Sequence, residues 1–269
     1  MLEAFGREHV LEGIGAAAPA ANYFHGTIES PSNFEWGRVE FVRILQERYR
    51  VPIAITNDAK AAALGEMVFG EARGMQDFIV ITLGTGLGSG IVVNGELIYG
   101  HDGLAGELGH TIVEPRDRQC NCGRRGCLET YASSPGICRT VFELLAHRLD
   151  DSELRGIAFN DLTAEKIYQA ATRNDVLALA AFEYTGEILG RALADATACF
   201  SPEAIILFGG LAKAGAFLFE PTRRHFEENL LDIYKGKVKI VPSHAAVCNT
   251  AVLGACVLVR KEIEKLGNR

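Results

Sequence analysis

Apolar residues fall in two rhythms along the chain. Continuous apolar runs bounded by polar or glycine-rich positions predict buried strands at Pro52-Ile53-Ala54-Ile55-Thr56, at Phe78 to Leu83, and at Ala204-Ile205-Ile206-Leu207-Phe208. Gly13 to Ala16 reads as a short strand entering a loop, and Lys237 to Val241 as a late one. Ile91-Val92-Val93 and Glu96-Leu97-Ile98-Tyr99 flank Asn94-Gly95, a strong hairpin signal. Helical spacing places Phe41, Val42, Leu45 and Tyr49 on one face of 38–49. A second helix follows Asn57-Asp58 through Ala61-Ala62-Ala63-Leu64-Gly65-Glu66, and 129–149 is helical with a break near Pro135-Gly136. Thr163–Ala171, Val176 to about Ala198 and Thr250 to Leu266 complete the helices. Residues 1–12 read as the last turns of a helix, Thr27 to Trp36 as a loop, and Gly84 to Gly90 as a glycine-rich turn. Strands alternating with helices, plus a hairpin, indicate an α/β protein with a mixed sheet.

Composition narrows the class. The 269 residues allow one large domain or two modest ones, and 48% hydrophobic residues suffice for a core. Lys+Arg 27 against Asp+Glu 34 gives a net charge of −7. That balance argues against general binding to nucleic acid or to anionic membrane. No apolar run approaches a membrane span, and no hydrophobic export segment opens the chain, so a reducing cytoplasm is expected.

The candidate chemistry is concentrated in Glu107-Leu108-Gly109-His110 and Cys120-Asn121-Cys122-Gly123-Arg124-Arg125-Gly126-Cys127. One histidine and three cysteines this close together can close a tetrahedral zinc site. Unliganded thiols or one disulfide are the alternatives, the disulfide being rare in a reducing compartment. Four protein ligands would leave no open position, so the zinc would be structural. Cys138, Cys199, Cys248 and Cys256 are isolated in apolar runs and read as buried free thiols.

Asp58 stands where a strand ends and a helix begins. It is either a helix cap or a ligand-facing carboxylate at a strand end. Asn57, and Asn33 nearby in sequence, are short polar groups that can join it around a polyhydroxylated ligand. Gly84-Thr85-Gly86-Leu87-Gly88 lies between two strands, so it is neither a Rossmann fingerprint nor a Walker loop. It reads as a plain hairpin turn or as a nest of N–H groups for a phosphate, with Thr85 as an added donor. Gly209-Gly210-Leu211 is a strand-to-helix turn, or a place where a nucleotide base approaches the backbone.

Taken together these motifs resemble the ROK family of sugar kinases, glucokinase-like members most closely. The residues that carry the resemblance are Asn57-Asp58-Ala59, Leu83-Gly84-Thr85-Gly86-Leu87-Gly88-Ser89-Gly90, Ala105-Gly106-Glu107, and Gly109-His110 followed by Cys120-x-Cys122 and Cys127-Leu128-Glu129. Pro202 to Gly210 adds the adenosine-side strand and turn. The resemblance implies an actin-like ATPase (ribonuclease H-like) fold of two lobes, with mixed sheets and a zinc-binding loop. Residues 1–60 would belong to the smaller lobe, joined by the helix 250–266, and residues 61–249 would form the larger one. It implies ATP, Mg2+ and structural Zn2+, a hexose with glucose as the first expectation, and a cytoplasmic homodimer. It makes Asp58 the base that takes the proton of a sugar hydroxyl. Asn33, Asn57, Glu107, His110 and Glu129 would hold other hydroxyls, with the loop Ala18 to Ala20 lining the pocket. Gly84, Thr85 and Gly86 would face the ATP phosphates, and Gly209, Gly210 and Leu211 the adenosine. His110, Cys120, Cys122 and Cys127 would hold the zinc.

Two departures qualify these expectations. The family opens with a strand carrying Asp-x-Gly-Gly-Thr, and no such motif occurs here. The sequence therefore reads as a truncated or mis-started chain, or as a member that has lost phosphoryl transfer. Weak or absent turnover is expected, with the sugar pocket and zinc loop better preserved. Ala17-Ala18 and Ala20-Ala21 stand where the family commonly has glycine, which leaves N-acetylated hexosamines and mannose open. A non-catalytic sugar-binding or regulatory protein is the competing class. A repressor is disfavoured by the acidic charge and by the lack of a helix-turn-helix segment.

Overall fold

The computed structural model describes residues 10–29, 37–244 and 250–267. The expected opening helix falls largely outside them, and so do Asn33 and Cys248. In chain order the strands and helices are β1 (Ile14–Ala17), β2 (Ala21–Asn22), β3 (Thr27–Ile28), α1 (Phe41–Gln46), β4 (Ile53–Thr56), α2 (Asp58–Phe69), β5 (Phe78–Leu83), β6 (Leu87–Val93) and β7 (Glu96–Leu97). They continue with α3 (Ser134–His147), α4 (Ala164–Thr172), α5 (Val176–Phe200), β8 (Ala204–Phe208), α6 (Ala216–Asn229), β9 (Lys239–Pro242) and α7 (Thr250–Gly267).

Among the described residues the strands form a parallel pair β1–β4, an antiparallel pair β2–β3, and a five-stranded sheet in the order β7-β6-β5-β8-β9. In that sheet β5, β8 and β9 pair in parallel, while β6 pairs antiparallel with both β5 and β7. The continuous apolar run of β5 is explained by burial on both faces. Ile79, Ile81 and Leu83 enter the main core with α3, α5 and α6, whereas Phe78 and Val80 pack with Ala62 and Ala63 of α2. The hairpin at Asn94-Gly95 forms as expected, both residues having positive φ. No described helix is long and apolar enough to cross a membrane.

Several local expectations are corrected. Pro135-Gly136 does not break a helix; it opens α3, whose cap is Ser133 accepting from the Gly136 N–H. Proline is tolerated there because a first-turn N–H has no helical partner anyway. The glycine-rich turn is shorter than expected, since Gly88 and Gly90 already lie in β6. Thr27–Ile28 is a strand rather than loop. Helix α6 has no counterpart in the sequence reading: Pro221 lies inside it and its outer face is charged. Cys199 and Cys256 are exposed, unlike the buried Cys138.

Helix α7 returns to the start of the chain and packs on α2, β1 and β4. The approach of α7 to α2 is so close that a Cβ on Gly254 would lie 1.7 Å from the Ala61 carbonyl oxygen. Gly254→Ala is therefore expected to cost about 2 kcal/mol or more by forcing the helices apart. Gly156→Ala, where nothing lies within 4 Å of the added carbon, serves as the control and should stay within about 0.5 kcal/mol. Denaturant midpoints at unchanged slope would check both.

Candidate active site and metal loop

The site is built around the start of β6. Gly88 and Gly90 present their bare Cα atoms to the first turn of α2: added Cβ atoms would lie 2.9 Å from the Ala59 Cβ and 2.6 Å from the Ala59 carbonyl oxygen. Two glycines of the repeat thus serve helix packing rather than phosphate contact. Asn57 is the N-cap of α2, its side chain accepting from the Ala59 N–H at 2.9 Å. Asn57 holds the cap position, but Asp58 Oδ1 accepts from the same Ala59 N–H at 2.9 Å, so the two side chains share that donor. Asp58 is the first residue of the helix and is exposed at its N-terminal end, where the helix dipole favours a carboxylate.

The segment carrying Glu107 and His110 lies against the same strand. Ser89 Oγ donates to the Gly106 carbonyl and accepts from the Leu108 N–H at 3.3 Å. The short helical turn Leu108–His110 then aims His110 at the cysteines. His110 Nδ1 is 3.7 Å from Cys120 Sγ, and Cys122 Sγ is 3.7 Å from Cys127 Sγ. All four ligand atoms lie within 4.8 Å of one another. Zinc–sulfur bonds of about 2.3 Å imply tetrahedral edges of about 3.8 Å, which the two 3.7 Å pairs match. With Nδ1 on the metal side, Nε2 is left for another partner.

The thiols differ in their electrostatics. Burial pushes Cys127 up to about 12 and raises Cys120 also. At Cys122 burial acts upward too, but the Arg124 N–H and the two neighbouring thiols outweigh it and hold that thiol below its ordinary value. Buried thiols packed together ionise poorly, and a bound cation reverses this by deprotonating its ligands. The loop backbone is held by Gly126, which has positive φ and sits where a Cβ would lie 1.8 Å from the Glu114 carbonyl oxygen.

Glu129 joins this loop to the glycine turn. One carboxylate oxygen lies 3.8 Å from Cys120 Sγ, and the other accepts from the Leu87 N–H at 3.0 Å. A Cβ on Gly86 would lie 2.4 Å from that second oxygen, which explains the glycine. Thr85 is exposed at the tip. The Gly84 N–H is bonded to the Gly86 carbonyl at 2.9 Å, so the turn offers one N–H fewer than a full phosphate nest. Beside it, β8 ends at Gly209, whose positive φ lets it pass against Leu83. Gly210 is open to approach and Leu211 is buried beneath it. Both glycine turns therefore stand at the carboxyl ends of the adjacent parallel strands β5 and β8, the usual ligand edge of such sheets.

Two supporting residues were not anticipated from sequence. Arg118 is buried against the Tyr131 ring at 4.3 Å and donates to the carbonyls of Thr130 and Gly136 at 2.8 and 3.2 Å. It also pairs with Glu143, whose side chain is 51% exposed against 4% for Arg118. Lys60 is buried on α2 and donates to the Gly103 carbonyl at 2.9 Å. Losing Arg118 would take the donor from the buried Thr130 carbonyl, the Gly136 carbonyl keeping the Thr140 hydroxyl, so Arg118→Met should cost about 2 kcal/mol. Glu143→Gln removes only a half-exposed partner and should cost under about 1 kcal/mol. Thermal or denaturant unfolding of the two variants would check this asymmetry.

Comparison with known proteins identifies the family. The family model described as "ROK family" matches residues 3–262. A glucokinase of Halalkalibacterium halodurans is 39% identical over 220 residues, 81% of this chain and 67% of that protein. The crystal structure of a ROK family glucokinase from Streptomyces griseus, in complex with glucose and AMPPNP, superposes with a TM-score of 0.82 at 30% identity; the match covers 94% of this chain and 83% of that one. The transcriptional regulator NagC of Escherichia coli is 32% identical over 226 residues, 84% of this chain and 53% of that protein. The actin-like, two-lobed fold expected from the motifs is the fold of these sugar kinases. The chain belongs to the ROK family.

Proposed function

We propose that the protein phosphorylates a hexose with Mg2+-bound ATP, glucose to glucose 6-phosphate being the first substrate to test. The observation that carries this reading is the exposed Asp58 at the first turn of α2, where the next residue, Ala59, packs against Gly88 and Gly90 of β6, the strand whose Ser89 also holds the Gly106–Leu108 segment. A carboxylate there takes the proton of the attacking hydroxyl as its oxygen bonds to the γ-phosphorus. The bond from that phosphorus to the β-phosphate oxygen breaks and ADP leaves. Phosphoryl transfer asks for alignment and charge stabilisation more than covalent help, which suits a site of this kind.

In this reading Asn57 contributes its amide nitrogen, its oxygen being committed to the Ala59 N–H. Glu107, Glu129 and His110 Nε2 hold further hydroxyls, and Asn33 is carried as a sugar ligand by resemblance alone. Gly84, Thr85 and Gly86 border the phosphates, and Gly209, Gly210 and Leu211 the adenosine. His110, Cys120, Cys122 and Cys127 hold a zinc ion that fixes the loop; with four protein ligands it takes no part in the chemistry. A cytoplasmic homodimer remains the expected form. The similarity to NagC supports a second reading, sugar binding without phosphoryl transfer.

Two measurements test these assignments. ADP release with ATP, Mg2+ and a hexose panel should show weak turnover, as the absence of an Asp-x-Gly-Gly-Thr motif implies, and Asp58→Asn should abolish it. Sugar affinity of that variant, measured by calorimetry, should change little. Sugar binding without turnover in the unaltered chain would favour the regulatory reading. For the metal, elemental analysis should return about one zinc per chain, as a four-ligand structural site requires. Cys127→Ser should lose the metal and raise the sugar KM by about tenfold or more, because His110 loses its anchor.

A further inference from the structure

Three buried polar side chains outside the proposed sugar contacts converge on one loop. Asn22 of β2, 2% exposed, donates through Nδ2 to the Asp102 carbonyl at 2.6 Å. Lys60 of α2, also 2% exposed, donates through Nζ to the Gly103 carbonyl at 2.9 Å. Ser89 of β6 donates to the Gly106 carbonyl. The loop between β7 and the Leu108–His110 turn is thus tied to three elements immediately before it delivers Glu107.

Lys60 is the member whose presence needs explaining. Its neighbours Ala59, Ala61, Ala62 and Ala63 are all buried, so the charge lies in an apolar stripe. It occupies the first turn of α2, where the helix dipole opposes a cation. A buried ammonium is costly unless its partners replace its hydration. Those partners all belong to the loop or its root. They are the Gly103 carbonyl, the Tyr99 ring with Nζ 5.3 Å from its centroid, and the charges of Glu107 and Asp102. Burial lowers the lysine's pKa, and those two carboxylates act against it. Asp58 lies two residues earlier on the same helical turn, so one rigid element carries both the proposed base and the lysine that holds the Glu107 loop.

We propose that Lys60 is a positioning residue that, through the Gly103 carbonyl, sets Glu107 relative to Asp58 so that a polyhydroxylated sugar is bound with its reacting hydroxyl at Asp58. The inference rests on the sugar-site reading above and extends it to a residue that touches no substrate.

The test uses the full chain, with sugar affinity by calorimetry and, where there is turnover, KM for sugar and for ATP separately. Lys60→Met should weaken sugar affinity by about tenfold while the ATP KM moves less than about twofold, because only the sugar side loses its geometry. Lys60→Gln keeps an N–H donor and should recover much of that loss. Combined with Glu107→Gln, Lys60→Met should add less than about twofold to the single Glu107 variant, as expected of residues acting through one contact. Unchanged sugar affinity, equal losses for sugar and ATP, or fully multiplicative losses with Glu107→Gln would overturn the proposal. If Lys60→Met fails to fold, Lys60→Gln decides alone: a loss of about threefold confined to sugar supports the proposal, and no loss overturns it. An unaltered chain that binds sugar without turnover would defeat the kinase reading while leaving this test intact. A chain that binds no sugar would defeat both.

Discussion

The near contact between the first turn of α2 and strand β6 is the constraint on which the site depends. Gly88 and Gly90 remove the side chains that would hold the helix off, and the Ala59 backbone moves into the space. Because α2 begins at Asp58, this contact fixes the carboxylate relative to the sheet rather than leaving it on a loose cap. The opposite side of α2 is pressed just as closely by α7 at Gly254. A helix held from both sides by backbone contact has little freedom to translate, so the Asp58 carboxylate keeps a fixed place relative to the sheet.

The second organising element is Glu129. Its two oxygens address different parts of the molecule, one toward Cys120 in the metal loop and one on the Leu87 N–H at the root of the glycine turn. The same short segment supplies Ser133, which caps α3 and donates back to the Glu129 carbonyl at 2.6 Å. The Ser134 N–H donates to the Gly84 carbonyl at 2.8 Å. The metal loop, the glycine turn and helix α3 are therefore adjusted together. Arg118 adds a buried clamp from the loop to the start of α3. In such a network a small displacement at the cysteines is passed to the turn, because packed elements shift as units rather than deform.

Much of this was legible in the chain, and the exceptions share a cause. Strands such as β5 and β8 declare themselves because burial on both faces demands continuous apolar runs. The cluster of His110 with Cys120, Cys122 and Cys127 is legible because its members are close in sequence. Asp58 read as a possible cap, whereas Asn57 stands at the cap position and both side chains accept from the Ala59 N–H, a sharing that spacing does not reveal. Helix α6 escaped because its amphipathic stripe is interrupted by Pro221 and diluted by charge. Lys60 escaped because its partner is a main-chain carbonyl 43 residues away, and no side-chain pattern marks such a bond. Gly88 and Gly90 look like phosphate-loop glycines until the helix that crosses them is seen.

The return of α7 to the beginning of the chain has a consequence for assembly. Strand β1 is seated by that helix: a Cβ on Gly15 would lie 1.9 Å from the Ala255 carbonyl oxygen, and the Tyr23 hydroxyl donates to Glu262 at 2.6 Å. Most of the five-stranded sheet and its helices are made well before Ala255, and β9 only shortly before it. The pair β1–β4 keeps one of its faces uncovered until α7 is made. Strand β1 thus depends on a neighbour far along the sequence, and such long-range closure slows folding.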